Sequence, residues 1–177
     1  GGGKAGHARV FELTEASSSS WTQMGDDLDG SSANDRFGSA VSLAGDGTRI
    51  AVGAPAADTD DYRWAGRVLV YEWNATAVEW QQMGTTLTGA STADYFGTAV
   101  SISNDGSVVA AAAPKNDDAA SNAGHVRCFK WNSTADPPLW EPHGSDIQGA
   151  AEIDEVFGTS LSLSGDGSRV AIGAPGN

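Results

Sequence analysis

The chain has 177 residues, long enough for one domain with a sizeable core, and no apolar run approaches membrane-spanning length. Its net charge of -13, from 10 basic and 23 acidic residues, argues against nucleic acid as a partner, and we expect no membrane insertion. One cysteine, Cys128, excludes an internal disulfide; it stands where other copies of its strand have valine, so we expect a small buried side chain.

The first predicted elements are two strands that recur twice later in the chain. The first strand opens with Ala-Gly and continues with β-branched and aromatic residues, as in "AGHARVFEL", and this pattern predicts strands at 5–13, 65–73 and 123–131. The second begins with tryptophan and ends in a glycine turn. Its uneven pattern predicts an irregular outer strand at 21–30, 80–89 and 140–149.

A longer unit follows, "FGSAVSLAGDGTRIAVGAP", and it recurs without a gap at 37–55, 96–114 and 157–175. Its first arm alternates as a pleated strand requires, and its Asp-Gly pair suits a tight turn. The second arm is apolar on both faces and ends at a proline, which cannot donate to a central ladder. We predict a buried hairpin with strands near 37–45 and 48–54. Small residues should lie where these hairpins converge: Ala51, Gly53, Ala111 and Ala171.

Together these units give about four strands in roughly sixty residues, the size class of a propeller blade. The predicted fold class is all-β, a β-propeller-type array of four-stranded antiparallel blades in permuted phase. Because three blades are hard to close into a ring, we expect 1–177 to be one repeat region of a larger propeller. The predicted divisions are outer strands of a permuted blade at 1–34, repeats at 35–93 and 94–154, and the inner hairpin of a third repeat at 155–177.

The hairpin resembles the FG-GAP family of β-propeller repeats. The family's letters stand at 37–38 with 53–55, and again at 157–158 with 173–175, whereas the middle copy ends in Ala112-Ala113-Pro114. The resemblance covers nearly the whole chain. It implies a propeller that serves adhesion or scaffolding in secreted or surface proteins, and integrin α-subunit heads carry a more distant relative of the repeat.

The resemblance also raises the question of calcium, which integrin-type repeats bind in the hairpin turn through several aspartates. Such a cage needs about six to eight oxygen ligands. The first turn keeps only Asp46, with Arg49 where a later acidic ligand is expected, and the other turns offer Asp105 or Asp166 alone. We therefore expect no cofactor and no metal in the hairpin turns. Acidic loops elsewhere are weaker candidates for a cation: Asp58, Asp60 and Asp61; Asp117 and Asp118; Asp26, Asp27 and Asp29.

The sequence offers no convincing catalytic set. His7 and His125 occupy one repeat position, where the intervening copy has Arg67, and a catalytic group is seldom installed once per repeat. His143 stands where the other copies have methionine, which indicates packing. No serine lies in a G-x-S-x-G elbow. We therefore predict that the chain is not an enzyme.

Most tryptophans follow the repeat and are predicted to pack between blades: Trp21, Trp80 and Trp140, and Trp73 with Trp131. Trp64 has no counterpart in the other repeats and lies in an Asp-rich loop. That loop, with Asp58, Asp60, Asp61 and Trp64, is the candidate contact for a glycan or a protein partner. An inward packing role for Trp64 is the alternative.

Two sequons, at Asn74 and Asn132, occupy the same turn in successive repeats and favour N-glycosylation and an extracellular or cell-surface location. The alternative is that they only make good turns. The predicted function is a non-enzymatic structural or adhesive module of a large fibre, wall or appendage glycoprotein, with other chains or further repeats as partners. Alternatives are a carbohydrate- or cation-dependent binding propeller and, less favoured, an accessory propeller of a secreted hydrolase.

Overall fold

A computed structural model describes residues 4–14 and 19–176. Every regular element in these ranges is a β-strand and none is a helix, so the all-β class is confirmed. Accordingly, the described ranges hold no helix long and apolar enough to cross a membrane. The strands are β1 (His7–Ala8), β2 (Phe11–Thr14), β3 (Ser20–Gln23), β4 (Leu28–Asp29), β5 (Ala40–Leu43), β6 (Arg49–Ala54), β7 (Arg67–Asn74), β8 (Glu79–Gln82), β9 (Leu87–Thr88), β10 (Ala99–Ile102), β11 (Val108–Ala113), β12 (His125–Asn132), β13 (Leu139–Pro142), β14 (Ile147–Gln148), β15 (Ser160–Leu163) and β16 (Val170–Gly173).

The strands pair antiparallel into two larger sheets and three short pairs. The first full sheet has the order β5-β6-β7-β8, with β9 also paired to β7. The second full sheet repeats this order as β10-β11-β12-β13, with β14 paired to β12. The N-terminal pairs, β1–β4 and β2–β3, correspond to the outer strands of a sheet. The C-terminal hairpin, β15–β16, corresponds to the inner strands.

Each inner hairpin is closed by its Asp-Gly turn. In the first, Asp46 Oδ1 accepts hydrogen bonds from the backbone N–H and the hydroxyl of Thr48, at 2.9 and 2.8 Å. The strand β5 is shorter than the predicted 37–45, because the residues around Gly38, with φ +86°, form a turn before the strand begins. The strand β6 agrees with the predicted 48–54 to within one residue.

The two outer strands of each full sheet differ in continuity: the first is unbroken and the second is divided in two. The strands β7 and β12 each run for 8 residues. The predicted strand at 80–89 instead forms β8 and β9, separated by a turn at Gly84, with φ +65°. The segment 5–13, predicted as one strand, is instead interrupted at Arg9 and Val10 and forms β1 and β2. The segments 140–149 and 21–30 divide as 80–89 does, into β13 and β14 and into β3 and β4. The prediction of an irregular outer strand is therefore confirmed.

The sheets stack face to face in chain order, and the core lies between them. Ala51 and Val70 of the first full sheet belong to one apolar cluster with Val100 and Ile102 of the second. The second full sheet packs on the C-terminal hairpin through a separate cluster, which includes Ala110, Ala112 and Val126 on one side and Leu161, Leu163 and Ile172 on the other. Burial of these faces supplies the main stabilisation between repeats.

One backbone-to-hydroxyl hydrogen bond recurs at each boundary between neighbouring inner hairpins. The N–H of Ile102 donates to Ser42 Oγ at 3.1 Å. One repeat later, the N–H of Leu163 donates to Ser101 Oγ at 3.0 Å. The repeated serine of the first arm therefore serves as an acceptor for the next hairpin, which explains a polar residue at a half-buried position.

At the same boundaries, but farther from the inner strands, a tryptophan side chain donates a hydrogen bond to the preceding repeat. Trp80 Nε1 donates to the carbonyl oxygen of Met24 at 2.9 Å, and Trp140 Nε1 donates to that of Met83 at 3.0 Å. These two tryptophans therefore pack between repeats, as their periodicity predicted. Trp21 holds the equivalent place in the N-terminal pairs but is 68% exposed, because no preceding sheet lies against it in the described structure.

The small residues of the inner strands behave as predicted at three of four positions. Ala51 and Ala111 are fully buried. A Cβ on Gly53 would overlap the carbonyl oxygen of Gly97, so the two inner hairpins approach closely there. Ala171 is exposed, and the expectation for it is wrong, because none of the described residues forms a sheet over that side of β16.

Candidate functional site

The loop between β6 and β7 holds the residues predicted to contact a partner. Asp58 Oδ1 accepts the backbone N–H of Trp64 at 2.8 Å, so this carboxylate closes the loop. Trp64 is 46% exposed, and the guanidinium of Arg63 lies 5.3 Å from its ring centroid. Asp60 and Asp61 are exposed and do not line the cavity beside the loop. The structure thus brings together only Asp58 and Trp64 of the four candidates.

The same loop architecture occurs in the second repeat. Asp117 Oδ1 accepts the backbone N–H of Asn122 at 2.7 Å, and Asn122 has φ +52° where Trp64 has φ +53°. Trp64 therefore has a structural counterpart that is not a tryptophan. Asparagine adopts positive φ far more readily than most side chains do. Other large side chains in the described structure share this backbone conformation, among them Val78, Tyr95 and Val156.

Two cavities meet at Asp35 and Arg67. The first, which we call the loop cavity, has a volume of about 280 Å³ and is also lined by Asp58 and Trp64. The second, the strand cavity, has a volume of about 330 Å³ and is also lined by Tyr71, Gln82 and Thr86. Both volumes are near the lower end of the range for small-ligand pockets, about 300–1,000 Å³.

The charged groups between these cavities are poorly solvated and incompletely paired. Arg67 Nε is buried and has no hydrogen-bond partner in the described structure. Asp35 is 8% exposed, and burial raises the pKa of its carboxyl group. No ion pair within 4.0 Å joins the two side chains among the described residues. Arg67 lines both cavities, so a positive charge lies beside each of them.

In the equivalent region of the second repeat, an amide side chain is hydrogen-bonded to the buried acid. Asn116 stands where the first repeat has Ala57, and its Nδ2 donates to Asp94 Oδ2 at 3.2 Å. The N–H of Ser91 donates to the same oxygen at 3.0 Å. His125, which replaces Arg67, is fully buried. At the equivalent position of the first repeat, Ala57 lines the strand cavity and has no side-chain group that could donate to Asp35.

The buried acids in these regions were missed by the sequence reasoning. Asp35, Asp94 and Glu155 each lie two residues before a Phe-Gly pair, and all three are buried. Burial raises the pKa of Asp94, as it does that of Asp35. The sequence signal for these residues is an acidic side chain that recurs at one repeat position. The exposed acidic runs indicated other residues instead.

His125 has the environment of a buried neutral imidazole. Both ring nitrogens are buried without hydrogen-bond partners among the described residues, and Nδ1 lies 3.7 Å from Asp118 Oδ2. Burial lowers its pKa. No described hydroxyl or thiol group is hydrogen-bonded to it, so it lacks a nucleophile to activate. Cys128 is half-buried, and burial raises the pKa of its thiol, which disfavours the reactive thiolate.

The aspartates of the hairpin turns accept hydrogen bonds from other residues of the same turns. Asp105 Oδ1 accepts hydrogen bonds from the hydroxyl of Ser103 at 2.6 Å and from the N–H of Ser107 at 3.0 Å. Asp166 has the same arrangement with Ser164 and Ser168. These hydrogen bonds lower the pKa of both carboxyl groups to about 2. The carboxylates therefore stabilise the turns directly.

One group of ligand-type side chains lies in the N-terminal pairs. Donor atoms of His7, Asp27 and Asp29 lie within 4.8 Å of one another, whereas Asp26 is outside the group. Both oxygens of Asp27 accept hydrogen bonds from Arg9, at 2.8 and 2.7 Å, and these bonds lower its pKa to about 2. A cation would have to displace the guanidinium, so the group is better described as an ion pair.

Both sequons lie in the turn that leaves the long outer strand. Asn74 Oδ1 accepts the N–H of Thr76 at 3.0 Å, and Asn132 Oδ1 accepts that of Thr134, also at 3.0 Å. Their Nδ2 atoms donate to Gln81 and Glu141 on the neighbouring strands. The middle residue and the threonine of each sequon are exposed. The two sites are thus structurally equivalent, and the side chains also hold the turn.

Comparison with known proteins bears on the fold and the family. The family model for the FG-GAP repeat matches residues 28–71 and 81–129, just over half of the 177 residues. Comparison with curated proteins finds no match. Among solved structures the chain is similar to the periplasmic gluconolactonase PpgL of Pseudomonas aeruginosa, with 19% identity and a TM-score of 0.49 over 94% of this chain. The matched part is 46% of that protein, so the chain spans less than half of its length. With both full sheets carrying the matched motif, the chain belongs to the FG-GAP repeat family.

Proposed function

We propose that the chain is a propeller-type scaffold module, without enzymatic activity, in an extracellular or cell-surface protein. The observation that carries the proposal is the stacking of sheets in chain order through contacts that repeat from one boundary to the next. Through such contacts each repeat stabilises its neighbour, as in repeat arrays that bear load or display loops. FG-GAP repeats are typical of extracellular or surface proteins.

Each proposed blade is the four-strand path of one full sheet. Its inner hairpin lies against the inner hairpins of the neighbouring blades. The inner hairpins approach most closely, at Gly53 and Gly97, and the outer strands carry the larger tryptophan side chains. This taper from small to large residues suits blades that radiate from a centre. Electron microscopy of the parent protein tests it: a ring of blades is expected, and an extended sheet stack would contradict it.

We infer the proposed lack of enzymatic activity from the environment of the histidines. His125 is enclosed without a nucleophile, and His7 belongs to a group dominated by the Arg9–Asp27 ion pair. The test is turnover of ester, lactone and glycoside substrates by the purified chain. We expect none above the buffer rate. Turnover that His125→Gln abolishes would overturn the proposal.

A ligand-binding function is the second candidate, favoured by the unpartnered Arg67 Nε beside Trp64. An exposed indole and a guanidinium at one cavity suit a sugar that carries a carboxylate: the ring stacks and the acid binds the cation. Titration with monosaccharides and their uronic acids tests this function. Binding lost in Trp64→Ala and kept in Tyr62→Ala, an exposed aromatic of the same loop outside the cavity lining, would support it.

A further inference from the structure

The strand cavity lies at the boundary between the N-terminal pairs and the first full sheet. Its lining residues all fall within 29–86, and two of them are the aromatic pair Phe37 and Tyr71. These rings meet edge to face, with centroids 6.5 Å apart and an angle of 86° between their planes. Leu69, from the same strand as Tyr71, also lines the cavity. The cavity is therefore a space of about 330 Å³ with an aromatic wall.

At the next boundary, a guanidinium group of the protein itself occupies the corresponding place. Alignment of the repeats puts Arg127 where the first repeat has Leu69. Arg127 Nη1 donates to the carbonyl oxygen of Thr88 at 3.0 Å, and its Nε atom lies 3.8 Å from Asp146 Oδ1. Thr88 belongs to β9 of the first full sheet. The arginine side chain therefore crosses from the second full sheet to the first.

Two aromatic rings contact the same guanidinium group. Its Cζ atom lies 5.6 Å from the ring centroid of Phe96 and 5.0 Å from that of Phe129, within the range of cation–π attraction. These two rings also meet edge to face, with centroids 6.2 Å apart and 75° between their planes. They are the repeat equivalents of Phe37 and Tyr71. The ring arrangement that receives the guanidinium is therefore present in the strand cavity as well.

The polar contacts of Arg127 have counterparts in the strand cavity too. Thr88 corresponds to Asp29, and Asp146 corresponds to Thr86. Both Asp29 and Thr86 line the cavity. The two acceptors and the two rings that contact Arg127 thus all correspond to residues of the cavity wall. Both boundaries lie inside the described chain, so this correspondence does not depend on where the sequence begins or ends.

The charges around the strand cavity favour a cation. Asp29 and Asp35 line it together with Arg67, so carboxylates outnumber guanidinium groups. The whole chain carries a net charge of -13. Burial raises the pKa of the Asp35 carboxyl group, and a cation bound beside it would stabilise the charged form. Arg67 opposes a cation, which makes an anion the competing class of ligand.

We propose that the strand cavity binds an alkylguanidinium group, placed as the Arg127 side chain is placed one repeat later. The bound cation contacts Phe37 and Tyr71, and its N–H groups donate to oxygen atoms of Asp29 and Thr86. The group comes from a small molecule or from an arginine side chain of a partner polypeptide, since the recognition chemistry is the same. The proposal goes beyond the scaffold function and is separate from sugar binding at Trp64.

The decisive experiment is an NMR titration of the 177-residue chain and two reciprocal variants with ethylguanidinium. The unchanged chain should have one site, with the largest shifts at Leu69 and Tyr71. Leu69→Arg supplies the guanidinium from the chain itself, as Arg127 does, and should lose at least about tenfold in affinity. Arg127→Leu removes the guanidinium from the second boundary and should gain a second site, with shifts at Phe96 and Phe129.

The matched control is Leu69→Met, because methionine has a similar volume without a charge or an N–H donor. This variant should keep its affinity. Equal loss in Leu69→Met and Leu69→Arg would mean that the place does not distinguish a guanidinium from an apolar chain, and would overturn the proposal. So would a lack of binding in the unchanged chain, or binding that Leu69→Arg leaves undiminished. These outcomes decide the matter even where Arg127→Leu does not fold.

Other ligands define the chemical class and the source. Propionate and glucuronate test an anion site at Arg67, and tighter binding of either one in competition with ethylguanidinium would overturn the proposal. Agmatine and a blocked tripeptide with a central arginine distinguish the two sources. Tighter binding of agmatine supports a small-molecule ligand, whereas tighter binding of the tripeptide supports a partner polypeptide. Binding of propylammonium as tight as that of ethylguanidinium would contradict recognition of the planar group.

Discussion

The indole N–H of Trp140 donates to the carbonyl oxygen of Met83, 3.0 Å away across the boundary between two repeats. Trp140 is 5% exposed, so this hydrogen bond is shielded from water. The bond orients the largest side chain of the outer strand against the preceding sheet. The repeat therefore specifies not only which strands form but also how neighbouring sheets are placed.

Replacing Trp140 with phenylalanine should remove this hydrogen bond together with part of the packing of the ring. Trp140→Phe leaves the Met83 carbonyl without its donor, and we expect a loss of about 1–3 kcal/mol in the free energy of unfolding. The matched control is Trp21→Phe, at an exposed residue, which should cost less than about 0.5 kcal/mol. Urea unfolding measures both. Equal losses would show that the hydrogen bond is unimportant.

Enlarging Ala111 should overpack the buried second arm. Ala111→Leu adds volume where the residue has no exposure, and we expect a loss of about 1–3 kcal/mol in the free energy of unfolding. Ala171→Leu makes the same change at an exposed strand position and should cost less than about 0.5 kcal/mol. Thermal unfolding of both variants provides the comparison. A neutral Ala111→Leu would mean that the inner strands have free space.

The elements of the hairpins and the stacking tryptophans could be predicted because they depend on local pattern and on periodicity. The alternation in β5, the Asp-Gly turn and the apolar β6 are local, and each was found at the expected place. The strand cavity could not be predicted, because it depends on Ala57 and Asp35 lying together in space. The exposure of Ala171 was also not predicted, because repeats with the same sequence pattern can differ in whether another sheet covers them.

The buried His125 should make the fold sensitive to acid. Because burial lowers its pKa in the folded state, the unfolded chain binds the proton more readily. Stability contributed by the neutral imidazole should therefore fall as pH decreases below about 6.5, the ordinary histidine value. His125→Gln should flatten this fall, whereas His143→Gln, at an exposed histidine, should not. Denaturant midpoints between neutral and mildly acidic pH measure the slope, and a slope that His125→Gln leaves unchanged would contradict the assignment.

The equivalent sequons should both be glycosylated when the chain passes through a eukaryotic secretory pathway. Asn74→Gln and Asn132→Gln should each remove the mass of one glycan, and the double variant should have the mass of the bare polypeptide. Their shared place in exposed turns gives no reason for one to be modified without the other. Intact mass before and after glycosidase treatment measures occupancy. Identical masses for all variants would leave turn formation as the only role of these residues.

Filling the space beside Ala57 should reduce the strand cavity without altering Trp64. Ala57→Asn places an amide where Asn116 stands in the second repeat, so its Nδ2 can donate to Asp35 as Asn116 does to Asp94. If the cavities bind an acidic sugar, we expect this variant to lose at least about tenfold in affinity while the indole stays in place. The fold should keep its stability, because the added side chain reproduces a contact already present in the chain. Calorimetric titration beside unfolding measurements tests both expectations, with Tyr62→Ala as the control that retains binding. Undiminished affinity in Ala57→Asn would place any sugar contact outside the strand cavity, beside Trp64.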